Sequence, residues 1–364
     1  MSQAGWSECA PHRLGMRGKE IERALGFMRA HGGMAQLCVL RHGRVVLDRQ
    51  VRCTPRALFW LFSASKPFIA TQVHLLAERG VISLDDPVAA YWPAYASRGK
   101  GGITVRHVLT HRAGVPFASG SEFGDALAMT RWDRAVRQAQ GARPRWPAGQ
   151  VVAYHAMTYG FILGEVIRRV TGRAVATQMA ADILGPLGLG DTHLGIPDHA
   201  WERCVPVDAD SLGDRAQAWI WNRRSIRQAV IPAAGISTTA RDMARFYQML
   251  LDAGCLDGVR ILSPDTVTEA TRVSSEGEID RVLGRPMRWA HGFVLGRPGQ
   301  QTPMGRLASS QAFGHAGSGS VCSAWADPAC GVVFVYLTNR LVTNSDLGAR
   351  YQCEISDAIR TACK

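Results

Sequence analysis

The sequence predicts an α+β protein, an α/β sandwich in which one antiparallel sheet drawn from both ends of the chain is flanked by helices and carries an inserted, mostly helical lobe. Three observations lead there. β-type runs gather near residues 36–50 and again after Gly292. From Gly80 to about Ala229 the texture is instead short helical segments broken by glycine and proline. The last β run, Val332 to Leu337, is almost continuously apolar, as a strand covered on both faces should be. The economical solution is a single sheet made from residues 18–80 and 230–364, a lobe of residues 81–229 between its halves, a polar tail over 1–17, and a site in the cleft.

In chain order, Ile21, Ala24, Leu25 and Met28 recur at i, i+3, i+4 and i+7 before Gly32-Gly33, which predicts a helix over 18–31. The runs Gln36 to Arg41 and Arg44 to Gln50 are joined by His42-Gly43, a two-residue link typical of a hairpin. A helix is expected from Ile69 to Arg79. Asp86-Pro87 predicts a helix start, with Asp86 capping and Pro87 in the first helical position. Thr104 should cap Val105 to Thr110, Tyr159 to Arg169 should end at Gly172, and Thr239 to Leu251 should form a further helix. β runs follow at Gly292 to Leu295, Gln311 to His315, Ser320 to Ala326 and Gly331 to Thr338. A final helix from near Ser345 carries Leu347, Tyr351, Ile355 and Ile359 at every fourth place.

Composition narrows the function classes. With 46% hydrophobic and 20% charged residues the chain reads as a soluble globular protein. Its net charge of +12 raises nucleic acid as a partner, yet the arginines are scattered, and Arg223, Arg224 and Arg227 form only a small cluster without a binding motif. Neither a signal-peptide core nor a membrane-length apolar run is evident. Nine cysteines without C-x-x-C fit reduced thiols, so a cytoplasmic location is expected, with no metal, cofactor, nucleic acid or membrane partner.

The chemistry gathers at Trp60-Leu61-Phe62-Ser63-Ala64-Ser65-Lys66-Pro67-Phe68. A serine three residues before a lysine at a helix start shares a face with it, and the helix end supplies unpaired N–H groups. That arrangement gives an acyl-transfer nucleophile both a proton acceptor and donors for a developing oxyanion. Only four of the 42 basic residues are lysines (Lys19, Lys66, Lys100 and Lys364), and one stands where an amine must lose a proton, which guanidinium cannot do. Pro67 disfavours a regular helix at Lys66 and implies a tighter first turn.

Two further patterns follow in order, Tyr154-His155-Ala156 and His315-Ala316-Gly317. Together with Ser63-Ala64-Ser65-Lys66 they resemble the serine β-lactamase and penicillin-binding-protein superfamily, whose motifs run S-x-x-K, Y-x-N and K-T-G. The resemblance extends from about residue 20 to 340 and includes Thr104 to Pro116, Thr238 to Met243 and Ala326-Asp327-Pro328. Ala156 in place of asparagine and His315 in place of lysine make the chain similar to the family VIII carboxylesterases and their acyltransferase relatives. The resemblance implies a β-lactamase-like fold in which Ser63 attacks and Lys66 and Tyr154 share the acid–base work, the phenol made more acidic by the nearby ammonium. It further implies an oxyanion hole from the backbone N–H groups of Ser63 and Ser318, with His315, Gly317 and His155 lining the substrate site.

The expected activity is hydrolysis of small neutral carboxylic esters through an acyl-enzyme. Acyl transfer to another acceptor, β-lactamase or D-Ala-peptidase activity, and an acyl-binding sensor that stays acylated are the alternatives. His107 and His111 have the i, i+4 spacing of a zinc helix, but Val108 replaces the glutamate and no third ligand is evident, so a structural role is expected. No G-x-S-x-G elbow is present, and Gly188-Leu189-Gly190 lacks the third glycine of a dinucleotide site.

Overall fold

The computed structural model describes residues 6–363; residues 1–5 of the expected tail lie outside them. The rest of that tail is docked: the Trp6 indole donates to Asp48 (2.8 Å), the Cys9 amide donates to the Val45 carbonyl (2.7 Å), and Met16 is buried.

Helix α1, Gly18–Ala30, leads into β1, Ala35–Arg41, and β2, Arg44–Val51. His42 and Gly43 both adopt positive φ, 49° and 73°, the backbone that a two-residue hairpin twisting with its strands requires. Helix α2 is Lys66–Glu78, and α3, Thr158–Thr171, ends on left-handed Gly172. Helix α4, Ala240–Leu251, is capped by the Thr239 side chain. Strands β3, Val294–Leu295, β4, Phe313–Ala316, β5, Cys322–Asp327, and β6, Val332–Thr338, precede α5, Ser345–Ala362.

One six-stranded antiparallel sheet runs in the order β3-β4-β5-β6-β1-β2. Its central joint pairs β1 with β6, Val39 opposite Phe334, nearly 300 residues apart in the chain. Both strands are buried on both faces, and alternation decides which core each side chain enters. Leu37, Val39, Val332, Phe334 and Tyr336 meet Ile21, Leu25, Ile355 and Ile359 of α1 and α5. Cys38, Leu40, Val333, Val335 and Leu337 face the larger core with Phe68 of α2 and Phe246 of α4, whose rings stack at 3.9 Å.

Residues 88–227 are largely short helices, with one short strand, His193–Leu194, that pairs with Ile236–Thr238. The basic cluster is built into this region: Arg227 is buried and donates to the Val205 carbonyl, and Arg224 pairs with Asp198. Among the described residues no helix is long and apolar enough to cross a membrane.

Several local expectations need correction. Asp86 caps nothing; it accepts a hydrogen bond from the Tyr91 hydroxyl, and Pro87 stands just outside the helix Val88–Tyr91. Residues 279–280 and 285–286 form an unexpected hairpin. On α5 a four-residue spacing drifts around the cylinder, so Ile355 and Ile359 are buried while Leu347 is exposed. The helix after the serine begins at Lys66, preceded by a 3₁₀ turn over Phe62–Ser65, the tight entrance that Pro67 demands.

Helix α3 passes so close to the 231–235 segment that a Cβ on Gly160 would sit 2.3 Å from the Ala233 backbone nitrogen. Gly160→Ala is therefore expected to destabilise the fold by about 1–3 kcal/mol, the usual cost of overpacking. Chemical denaturation measures this, and an unchanged midpoint would mean that the 231–235 segment yields freely.

Candidate active site

The turn carrying Ser63 is anchored from behind. The Leu61 amide donates to the Ile236 carbonyl and the Ser65 hydroxyl accepts from the Ile236 amide, so the strand at 236–238 fixes both sides of Ser63. Phe62 holds φ +47°, a strained conformation for a bulky residue, immediately before Ser63.

Lys66 is fully buried beside it. Its Nζ lies 3.4 Å from Ser63 Oγ, 2.9 Å from the Ala156 carbonyl and 3.4 Å from the Ala233 carbonyl. Burial pushes the amine down to about 7, with Glu122 opposing weakly. A neutral amine has two protons and one lone pair; with the protons on the two carbonyls, the lone pair is left for the serine hydroxyl. On the other side Tyr154 donates its phenolic hydrogen to Ser63 Oγ at 2.7 Å. Burial raises the phenol above its ordinary value, so the expected acidification by a lysine charge is not what the environment does. Lys66, rather than Tyr154, is the group poised near neutrality.

The sheet edge completes the constellation. Gly317 lies so near the nucleophile turn that a Cβ there would sit 2.6 Å from the Leu61 carbonyl oxygen, which makes glycine obligatory. Ser318 opens a 3₁₀ turn through Ser320, where the first N–H groups lack partners within the turn. Ser63, Tyr154, Ala156, His315, Gly317 and Ser318 line one cavity of about 430 Å³.

The family model described as Beta-lactamase matches residues 19–354. The chain belongs to the beta-lactamase family. It is 33% identical over 310 residues to the esterase/beta-lactamase LipL of Mycobacterium tuberculosis, covering 78% of this chain and 69% of that protein. Among solved structures it resembles a family VIII carboxylesterase, at 27% identity and TM-score 0.85, covering 98% of this chain and 99% of that one. A penicillin-binding-protein homolog from Caulobacter crescentus superposes with TM-score 0.80 at 27% identity, over 94% of this chain and 98% of that one. The chain is thus a hydrolase of the esterase/beta-lactamase type.

Two histidines expected at the site behave differently. His315 donates from Nδ1 to the Ala316 carbonyl (2.8 Å), leaving a buried Nε2 with no partner among the described residues. Burial and the neighbouring Lys66 push it down to about 3, so it is neutral. His155 does not line the cavity, against expectation. Along extended backbone successive side chains alternate, so the neighbour of cavity-facing Tyr154 points into the core. There its Nε2 accepts from the Val115 amide (3.2 Å) and its Nδ1 pairs with the Ala153 carbonyl (2.6 Å). The zinc-like histidine pair is likewise structural: His107 closes a capping box with Thr104, and His111 Nδ1 accepts from the His155 amide.

Two residues that carried no sequence signal hold Tyr154. Trp289 stacks on the phenol ring at 5.5 Å with an interplanar angle of 6°, and its indole donates to Asp280 (3.2 Å). The buried Asp280 carboxylate also accepts from the amides of Tyr154 (3.0 Å), Val282 (2.9 Å) and Leu283 (3.0 Å). Removing that acceptor strands the buried Trp289 indole and three part-buried amides. Asp280→Ala is expected to cost about 3 kcal/mol or more and to quench the fixed Trp289 near-ultraviolet dichroism. A stable variant with an unaltered aromatic spectrum would show that Asp280 does not organise this wall.

Proposed function

We propose that the protein is a serine esterase that cleaves small carboxylic esters, neutral at their reacting end, through an acyl-enzyme on Ser63. The observation that carries this reading is the placement of Ser63 Oγ between the Lys66 amine and the Tyr154 hydroxyl. In the proposed cycle neutral Lys66 takes the Ser63 proton as Oγ attacks the ester carbon. The amides of Ser63 and Ser318 receive the oxyanion. Collapse breaks the bond to the alcohol, which takes a proton delivered from Lys66 through Tyr154. Water then attacks the acyl group by the same route in reverse, returning free Ser63 and the acid.

The walls favour esters over β-lactams. Ala156 presents no amide to an acylamino arm. A lactam carboxylate at His315 would meet a neutral ring with a bare lone pair on Nε2, where a lysine would offer an ammonium. Ester chemistry is also the activity for which the similar family VIII carboxylesterase is named, while LipL is described as both an esterase and a beta-lactamase.

Protonated Lys66 has no lone pair, so activity requires pH above its lowered pKa of about 7. For p-nitrophenyl butyrate, kcat/KM should rise about tenfold per unit below that value and level off above it. Ser63→Ala, Lys66→Arg and Tyr154→Phe should each lose roughly 10³-fold or more in kcat, without additivity. A flat profile from pH 5 to 9, or turnover by folded Ser63→Ala, would remove the mechanism.

Substrate choice gives a separate test. A charge-assisted hydrogen bond is worth ~1.5–3 kcal/mol, so nitrocefin should be turned over several orders of magnitude more slowly than p-nitrophenyl butyrate. Ala156→Asn with His315→Lys should raise the lactam-to-ester ratio. Burst kinetics on the ester distinguish steady turnover from a single acylation. Nitrocefin hydrolysis rivalling the ester in the wild type would replace this reading with a β-lactamase.

A further inference from the structure

The same cavity is lined by two arginines that the proposed chemistry leaves unused. Arg285 belongs to the hairpin formed by Ile279–Asp280 and Arg285–Pro286; Arg297 lies two residues beyond β3. The Arg297 guanidinium donates to the Pro286 carbonyl at 2.7 Å, which holds it next to Arg285 along the chain. Among the described residues neither arginine has a carboxylate within 4.0 Å, and Arg285 makes no side-chain hydrogen bond. Their surroundings make this notable, because adjacent Arg288 is paired with Glu276, and arginine–carboxylate pairs recur over the whole surface.

Two like charges side by side without a counter-ion raise each other's energy, and partial burial adds to the cost. Burial and the Arg285 charge both lower the Arg297 pKa. Glu122 also lines the cavity, but its field falls on Lys66 and Tyr154, at the nucleophile. The cavity lining therefore combines neutral Ala156 and His315 with two arginines that lack a carboxylate partner among the described residues, and apolar Leu283, Met287 and Leu295 share it. The charges that shift Lys66 and Tyr154 are Glu122 and Asp280 and not these arginines, which sets the pair apart from Ser63. At about 430 Å³ the space exceeds what an acetyl or butyryl ester fills, and it falls within the range of ordinary small-molecule sites.

We infer that the preferred esters carry an anionic group remote from the scissile bond, separated from it by an apolar spacer and held by Arg285 and Arg297. This rests on the esterase reading above and extends it from the reacting end to the far end of the substrate. Guanidinium forks bind carboxylate and phosphate oxygens alike, so the shared chemistry is a planar or tetrahedral oxyanion.

The experiment compares wild type with Arg285→Gln/Arg297→Gln on four esters. These are neutral p-nitrophenyl butyrate, mono-p-nitrophenyl glutarate with the anion on the acyl side, and 4-carboxyphenyl and 4-phosphonophenyl butyrate with a carboxylate or phosphonate on the alcohol side. Comparing each anionic-to-neutral ratio of kcat/KM between the two proteins cancels intrinsic reactivity. At least one ratio is expected to fall about tenfold or more in the variant, the loss expected of one charge-assisted contact, and to shrink in the wild type at high salt. The responding ester identifies the side and the kind of anion. Ratios equal within twofold for all three anions overturn the inference while leaving the esterase intact. If no ester is cleaved, the esterase reading fails by itself. Calorimetric binding of the same esters to Ser63→Ala, with and without the two arginine substitutions, then decides the anion site: weaker anion binding without the arginines supports it, and equal binding overturns it.

Discussion

Everything at the site depends on keeping one amine out of water. Lys66 reaches Ser63 from a buried position, and among the described residues its nitrogen hydrogen-bonds to Ser63 Oγ and to two backbone carbonyls from distant parts of the chain. Withdrawal from water penalises the ammonium and brings its proton loss into the physiological range. The same enclosure pushes the neighbouring His111, His155 and His315 towards their neutral forms and Tyr154 towards its phenol. A single environmental cause thus sets five protonation states together. The close packing of Gly160 on Ala233 and the anchoring of the nucleophile turn by Ile236 are what keep the enclosure tight.

The polarity of the cavity follows the division of labour that such a pocket permits. Its reacting end contains neutral groups that can exchange hydrogen bonds without fixing a formal charge, which suits a carbonyl that is charged only in passing. Fixed formal charge in the lining comes from Glu122, whose field reaches Lys66 and Tyr154, and from the two arginines. In the proposed cycle the oxyanion falls to the backbone amides of Ser63 and Ser318, which stand in 3₁₀ turns and whose donor strength does not vary with pH.

Sequence reasoning reaches what is local. The Ser63–Lys66 spacing, the His42-Gly43 hairpin, the Thr104 and Thr239 caps and the apolar β6 run are each written in a few adjacent residues, and each has the form those residues demand. Asp86 was legible as a capping residue, yet Tyr91 competes for its carboxylate, and composition cannot rank two such partners. His155 looked functional because it adjoins Tyr154, and the alternation of extended backbone sends it the other way. Asp280 and Trp289 were illegible because their meaning exists only across 126 residues of intervening chain, in the amide of Tyr154. The pKa of Tyr154 went astray for the same reason: the direction depends on how dry the pocket is, which no motif records.

The pairing of β1 with β6 has a consequence for how the molecule comes into being on the ribosome. Residues 35–41 leave the exit tunnel nearly 300 residues before their central partner, residues 332–338. Through that interval the chain carries an uncovered strand edge and a long segment whose ends have nowhere to close, the condition under which nascent chains meet one another or a chaperone. Ser63 and Lys66 exist from early in that interval, while Gly317 and Ser318, which close against the turn carrying Ser63, arrive only near its end. On the proposed mechanism reactivity is thereby tied to completion: a half-made chain holds an ordinary serine, and Ser63 gains its full surroundings only when the sheet shuts.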